Sequence, residues 1–181
     1  MNPGIVFNDQ AESNKDNRSM ILKIINFFPG IRYRDILRIT NLNNGTLSHH
    51  LSILEKRSII KIGRTENSNI TRYFPASTPS DETLILNYLK IKTTKKIILM
   101  LTETDGVSFN EIVNHINKAP STISWNLKRL VDSNIVERKR GKDVSLFFLH
   151  NKELVKKLVG QNNKSLLDRS IDNYISIIDE L

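Results

Sequence analysis

The feature that most constrains this chain is that it repeats itself. Gly30-Ile31-Arg32-Tyr33-Arg34-Asp35-Ile36 aligns with Gly106-Val107-Ser108-Phe109-Asn110-Glu111-Ile112, an offset of 106 − 30 = 76 residues. The same offset sets Ile21, Ile24 and Ile25 on Ile97, Met100 and Leu101, and Thr46-Leu47-Ser48 on Thr122-Ile123-Ser124. It also sets Leu51, Leu54 and Ile59-Ile60 on Leu127, Leu130 and Ile135-Val136. Apolar positions and turn glycines agree together without a gap, so one small fold is expected twice.

Within each copy the apolar spacing changes period. In the first, Ser19 is a plausible N-cap for a helix to Phe28 that buries Ile21, Ile24, Ile25 and Phe28, and Pro29-Gly30 ends it. A second helix from Arg32 to Thr40 buries Tyr33, Ile36, Leu37 and Thr40, with Asn41 to Asn44 as the turn after it. A third runs from Gly45 to about Arg57, with Leu47, Leu51 and Leu54 on its inner side. Ile59 to Gly63 and Ile70 to Phe74 read as strands around a polar loop. Helix, helix, helix, hairpin is the order of a winged helix. The expected class is mainly α with small β-hairpins (α+β), as two tandem winged helix-turn-helix domains plus a linking helix and a C-terminal helix.

The expected boundaries follow. Residues 1–18 are a disordered tail, 19–78 the first winged helix and 79–92 a linking helix (Asp81 to Lys90, capped by Ser80). Residues 93–150 form the second winged helix and 151–181 the C-terminal helices. There Lys152 to Val159 reads as a short helix, Gly160 to Asn163 as a break, and Ser165 to Leu181 as a final helix. Leu167, Ile171, Tyr174, Ile178 and Leu181 recur at heptad spacing, a seam that suits dimerisation or packing back on the linking helix.

The outer side of the third helix carries Gly45, His49, Ser52 and Lys56, flanked by Asn44, Thr46 and Ser48. Short hydrogen-bonding side chains without a carboxylate suit close approach to base edges and phosphates. Arg32, Arg34 and Arg38 on the second helix are placed to grip a phosphate strand, and Lys61, Arg64 and Arg72 charge the first wing. In the second copy the matching outer face is Ser121, Trp125, Lys128 and Asp132, with Thr122, Ser124 and Arg129 at its shoulders. Trp125 stands where the first copy has His49. It either presses on sugars and thymine methyls, or is buried against protein, in which case this copy no longer reads bases. The second wing concentrates charge in Arg138, Lys139, Arg140 and Lys142 around Gly141. Such a run is a solvated face or, beside a recognition helix, a minor-groove or phosphate contact.

The formal net charge of +8 and a pI of about 9.7 favour a polyanionic partner. The 181 residues hold no cysteine, which removes disulfides, thiolate metal sites and cysteine nucleophiles and fits a reducing cytoplasm. The polar start, Met1 to Asn17, argues against an export signal, and no apolar run approaches the roughly 20 residues of a membrane span. His49 and His50 are adjacent, so their side chains diverge by about 100 degrees on a helix and do not chelate one ion. No metal or cofactor is expected. Neither is an enzyme, since there is no phosphate loop, carboxylate pair or nucleophile turn.

Gly45 to Leu54 with Glu55-Lys56-Arg57-Ser58-Ile59-Ile60-Lys61, and again Ser121 to Leu130, resemble the helix-and-wing signature of ArsR and MarR-like winged-helix regulators. Paired, basic and cysteine-free, the two look most like the tandem regulators of archaea. The metal-binding cysteines of ArsR sensors are absent here, so metal response is not implied. The resemblance implies a sequence-specific transcription regulator that binds double-stranded DNA as an intramolecular pseudo-dimer, cytoplasmic and nucleoid-associated, with possible self-association through its last helix. An architectural DNA-binding protein and a protein-interaction adaptor anchored on Trp125 are the rival readings.

Overall fold

The computed structural model describes residues 6–64, 70–141 and 144–167. They form two compact units, one from the described residues up to 79 and one from Ser80 onward. Among the described residues no helix is long and apolar enough to cross a membrane.

The first unit opens with α1 (Val6–Phe27). The helix begins well before Ser19, so residues 6–18 are helical and not the tail expected there, while 1–5 lie outside the described residues. Residues 6–18 contain neither Pro nor Gly. Their Asn, Asp and Ser lower helix propensity by only a few tenths of a kcal/mol each, so nothing halts the helix before Pro29. Gly30 then adopts φ 83°, and its N–H donates to the Tyr73 carbonyl at 2.8 Å. β1 (Ile31–Arg32), α2 (Tyr33–Thr40), α3 (Asn44–Lys56), β2 (Ile60–Gly63) and β3 (Arg72–Pro75) complete it. The antiparallel sheet has order β1-β3-β2. Ile21, Ile24, Ile25, Ile36, Leu47, Leu51, Leu54 and Ile60 fill the core at 3% exposure or less.

The second unit comprises α4 (Ser80–Leu89), α5 (Lys92–Glu103), β4 (Val107–Ser108), α6 (Phe109–Ile116), α7 (Pro120–Asp132), β5 (Val136–Arg140), β6 (Ser145–Leu149) and α8 (Lys152–Leu167). Its sheet order is β4-β6-β5. The helix α4, expected as a link, packs inside this unit. The Tyr88 hydroxyl reaches the Arg129 carbonyl at 3.3 Å and the Ser133 hydroxyl at 2.7 Å, and the Thr94 hydroxyl donates to the Tyr88 carbonyl at 2.6 Å. The break expected at Gly160 to Asn163 is also corrected: α8 runs through it to Leu167. A single glycine costs a helix about 1 kcal/mol, which an amphipathic helix that buries Val155 and Leu158 can absorb.

Element by element the 76-residue offset persists. Left-handed residues pair as Gly30 with Gly106, Asn41 with Asn117 and Ser58 with Asn134. In the wings the register shifts: Ile31 faces Tyr73 whereas Val107 faces Phe147, so 107 − 31 = 76 but 147 − 73 = 74. The second hairpin is two residues tighter. Local caps differ too. Ser108 and Glu111 form a capping box at α6, whereas Arg32 gives α2 no side-chain cap. The Ser108 hydrogen bonds hold the Glu111 carboxyl below the usual range.

Gly106 combines φ +95° with a neighbouring ring, and an added Cβ would lie 2.6 Å from Phe148 Cε1. Gly106→Ala should therefore destabilise the second unit by about 1–3 kcal/mol, from backbone strain and the displaced ring. Urea unfolding measures this, and a midpoint equal to wild type would mean the turn is not constrained as described.

Candidate nucleic acid interface

Asn43 caps α3: its Oδ1 accepts the Thr46 N–H at 2.8 Å. Tyr33 braces the same end from α2, its hydroxyl donating to the Asn44 carbonyl at 2.9 Å. With Leu47, Leu51 and Leu54 buried, Asn44, Gly45, Ser48, His49, Ser52 and Lys56 are exposed along the outer side, and Thr46 is half-buried. Arg34, Arg38 and Arg64 are exposed and Arg32 half-buried. The structure thus brings the expected residues of α3 onto one free face.

Arg72 is a correction. Only 6% exposed, it donates from Nη1 to the Gly30 carbonyl at 3.0 Å. β3 is the middle strand, flanked by β1 and β2, and Arg72 is built into that sheet instead of standing on the wing's open side. Burial, then the like charge of Arg32, lowers its proton affinity to about 10, with Asp35 opposing.

The α3 spacing places His50 at the edge of the core, and the structure buries it further. It is 1% exposed, and neither ring nitrogen has a hydrogen-bond partner among the described residues. Burial first, then His49 and Arg18, holds its imidazole below the ordinary histidine range. The unfolded chain therefore takes up a proton near 6.5 while the folded one resists it to lower pH. The folded state keeps its full stability above about 6.5 and loses it as the pH falls below that. His50→Leu should remove this acid sensitivity and stabilise the first unit by about 1–2 kcal/mol at neutral pH, by deleting unpaired buried nitrogens. Melting temperatures of both proteins between pH 5 and 8 measure it; parallel curves would rule it out.

In the second unit, Pro120 occupies the first turn of α7 and Ile123, Leu127 and Leu130 are buried. Ser121, Ser124 and Lys128 are exposed, and Thr122 is half-buried. Trp125 is 50% exposed, so it is not buried within this unit. Arg129 is the second correction: it is 7% exposed, its guanidinium 4.4 Å from the Trp125 ring centroid and 5.4 Å from that of Tyr88. Stacking between two rings, one supplied by α4, withdraws this arginine from solvent. Its side chain backs the Trp125 ring from inside the unit.

Arg138, Lys139 and Arg140 are exposed on β5. Lys139 pairs with Glu137 at 2.7 Å and lies 4.9 Å from the Phe148 ring. Lys142 lies outside the described residues, as do Ile171, Tyr174, Ile178 and Leu181 of the heptad seam, with Leu167 at the last described position of α8. The rings of His49 and His50 are 5.5 Å apart and tilted. Among the described residues no three His, Cys, Asp or Glu side chains are grouped to hold a metal ion.

A buried three-helix unit with an exposed polar third helix and an adjoining β-hairpin defines the winged helix-turn-helix class. The family model described as winged helix-turn-helix DNA-binding matches residues 92–137, so the second unit carries a winged helix-turn-helix. The chain is 31% identical over 135 residues to a protein of Methanocaldococcus jannaschii named as an uncharacterized HTH-type transcriptional regulator, covering 75% of this chain and 34% of that one. The chain thus spans about a third of that relative's length. Among solved structures, HlyU from Vibrio cholerae is 18% identical with a TM-score of 0.40, over 51% of this chain and 95% of its own. Rv0081 of M. tuberculosis is 17% identical with a TM-score of 0.43, over 48% and 85%.

Proposed function

We propose that this chain is a transcription regulator that binds double-stranded DNA sequence-specifically, reading two half-sites with the two recognition helices α3 and α7. The observation that carries the reading is the face of α3. It exposes Ser48, His49 and Ser52 while Leu47, Leu51 and Leu54 are buried, so hydrogen-bonding groups are free to meet base edges. Arg34 and Arg38 on α2, and Arg138 and Arg140 on β5, add phosphate contacts that are sequence-independent. The M. jannaschii relative's name as a transcriptional regulator supports the same reading. The chain acts by binding and not by catalysis, inside the cytoplasm on the nucleoid. Its C-terminal seam, Leu167 to Leu181, provides self-association, which sedimentation of full-length and truncated chains tests.

Selection from a random duplex pool at about physiological salt tests the central claim. An enriched motif with two half-sites is expected, and their spacing reports how the chain reads them. Retention without enrichment would replace specific regulation by an architectural role. Absence of retention would favour the adaptor, for which the half-exposed, arginine-backed Trp125 is the natural anchor. The double substitution His49→Ala and Ser52→Ala should blur the half-site read by α3; an unchanged motif would remove that helix from base readout.

A further inference from the structure

Between α7 and the second hairpin lies a cleft of about 650 Å³, entirely within the second unit. Phe109, Leu127, Val131 and Phe147 line its apolar part, and Lys128 and Arg138, both exposed, line it as well. Val144, another lining residue, is 55% exposed, an apolar side chain left in water beside two cations. Serine hydroxyls, including Ser124, supply further hydrogen bonds, and no carboxylate occurs among the described lining residues.

The first unit serves as an internal control. At the matching positions it has Ser52 for Lys128, Ile62 for Arg138 and Glu55 for Val131. There Lys128 and Arg138 have no cationic counterpart, Arg32 and Arg34 stand instead at the positions of Ser108 and Asn110, and a carboxylate replaces an apolar wall. The placement of the cations on the recognition helix and hairpin, beside a lining without a carboxylate, therefore belongs to the second copy. A DNA phosphate would use the two cations and the hydroxyls but has no use for the apolar lining. A pocket of this size with an apolar body and few polar groups fits a small molecule.

We propose that this cleft binds a small amphipathic organic anion, its apolar body against Phe109, Leu127, Val131 and Phe147 and its acidic group on Lys128 and Arg138. Burying the body supplies affinity, and the two charge-assisted contacts select an anion over a neutral analogue. Because Lys128 and Arg138 also face DNA, an occupied cleft withholds both from phosphate. The ligand is then a negative effector of DNA binding. This last consequence rests on the DNA-binding reading; the site itself does not.

The probe is anilinonaphthalene sulfonate, titrated by fluorescence into the full-length protein, with N-phenylnaphthylamine as the uncharged counterpart. The double substitution Lys128→Gln and Arg138→Gln should weaken the sulfonate at least about tenfold and leave the neutral probe nearly unaffected. Ser124→Trp, at an exposed position, should close the cleft to both. Since all three positions are exposed, circular dichroism should report unchanged folding. Unchanged sulfonate affinity in either variant would overturn the site. At a probe concentration about ten times its Kd, mutual exclusion raises the apparent Kd for duplex about elevenfold. Simultaneous binding of probe and duplex would overturn the effector role. Probe binding by a protein that ignores duplex altogether would sink the DNA-binding reading and leave the anion site standing.

Discussion

Replacing Arg138, Lys139 and Arg140 together by alanine is expected to weaken binding to every duplex and to flatten its salt dependence. Each lost phosphate contact lowers the slope of log affinity against log salt by about 0.9, so three contacts lower it by about 2.7. The three side chains are exposed, which frees them for DNA and means that the fold does not depend on them. The Lys139–Glu137 pair is open to solvent on both sides and contributes at most about 1 kcal/mol to stability. Arg138 sits 6.0 Å from the Phe147 ring, an exposed cation–π contact of similarly small weight. The variant should therefore fold and fail in binding only. Lys139 has a further consequence, because its carboxylate partner must be given up when it meets phosphate. Glu137→Gln should accordingly tighten binding and steepen the slope. Anisotropy titrations across a salt series measure both, and a triple variant with the wild-type slope would take the hairpin out of the interface.

Arg72→Ala is expected to be among the most destabilising single changes in the first unit, at about 2–3 kcal/mol. A buried cation hydrogen-bonded to a carbonyl contributes roughly 1.5–3 kcal/mol, and its alkyl stem packs as an apolar side chain would. Removing it leaves the Gly30 carbonyl without this donor, at the left-handed turn that leads into β1. With a proton affinity still near 10, the guanidinium is charged at neutral pH, so the carbonyl is answering a full charge. Arg72→Met, which keeps the stem, should recover part of the loss and no more. Trp125 is the only tryptophan and belongs to the second unit. Far-ultraviolet dichroism should therefore show an early unfolding step that tryptophan emission lacks. A single transition at the wild-type midpoint would mean that Arg72 is dispensable.

Arg72 and Arg129 also mark where residue type misleads. Both are basic and sit beside surface-facing positions, and in a linear reading both belong to the DNA contacts. Their burial depends on partners distant in sequence: Gly30 is 42 residues from Arg72, and Tyr88 is 41 from Arg129. His50 is similar, being polar by type yet placed by the α3 spacing in the interior, at 1% exposure. The start of α1 was illegible for a different reason. Polar residues without Pro or Gly are compatible with a helix as readily as with a tail.

The sequence by itself determined the repeat, the order of elements in each copy, and the apolar inner sides of α3 and α7. Periodicity of apolar residues dictates which side of a helix can be buried, and turn glycines and prolines dictate where it stops. What only the tertiary structure decided is which cations remain free, that α4 joins the second unit, and that a cleft opens between α7 and its hairpin. Each depends on side chains brought together from distant parts of the chain, and burial, unlike periodicity, is a property of the packed assembly of elements.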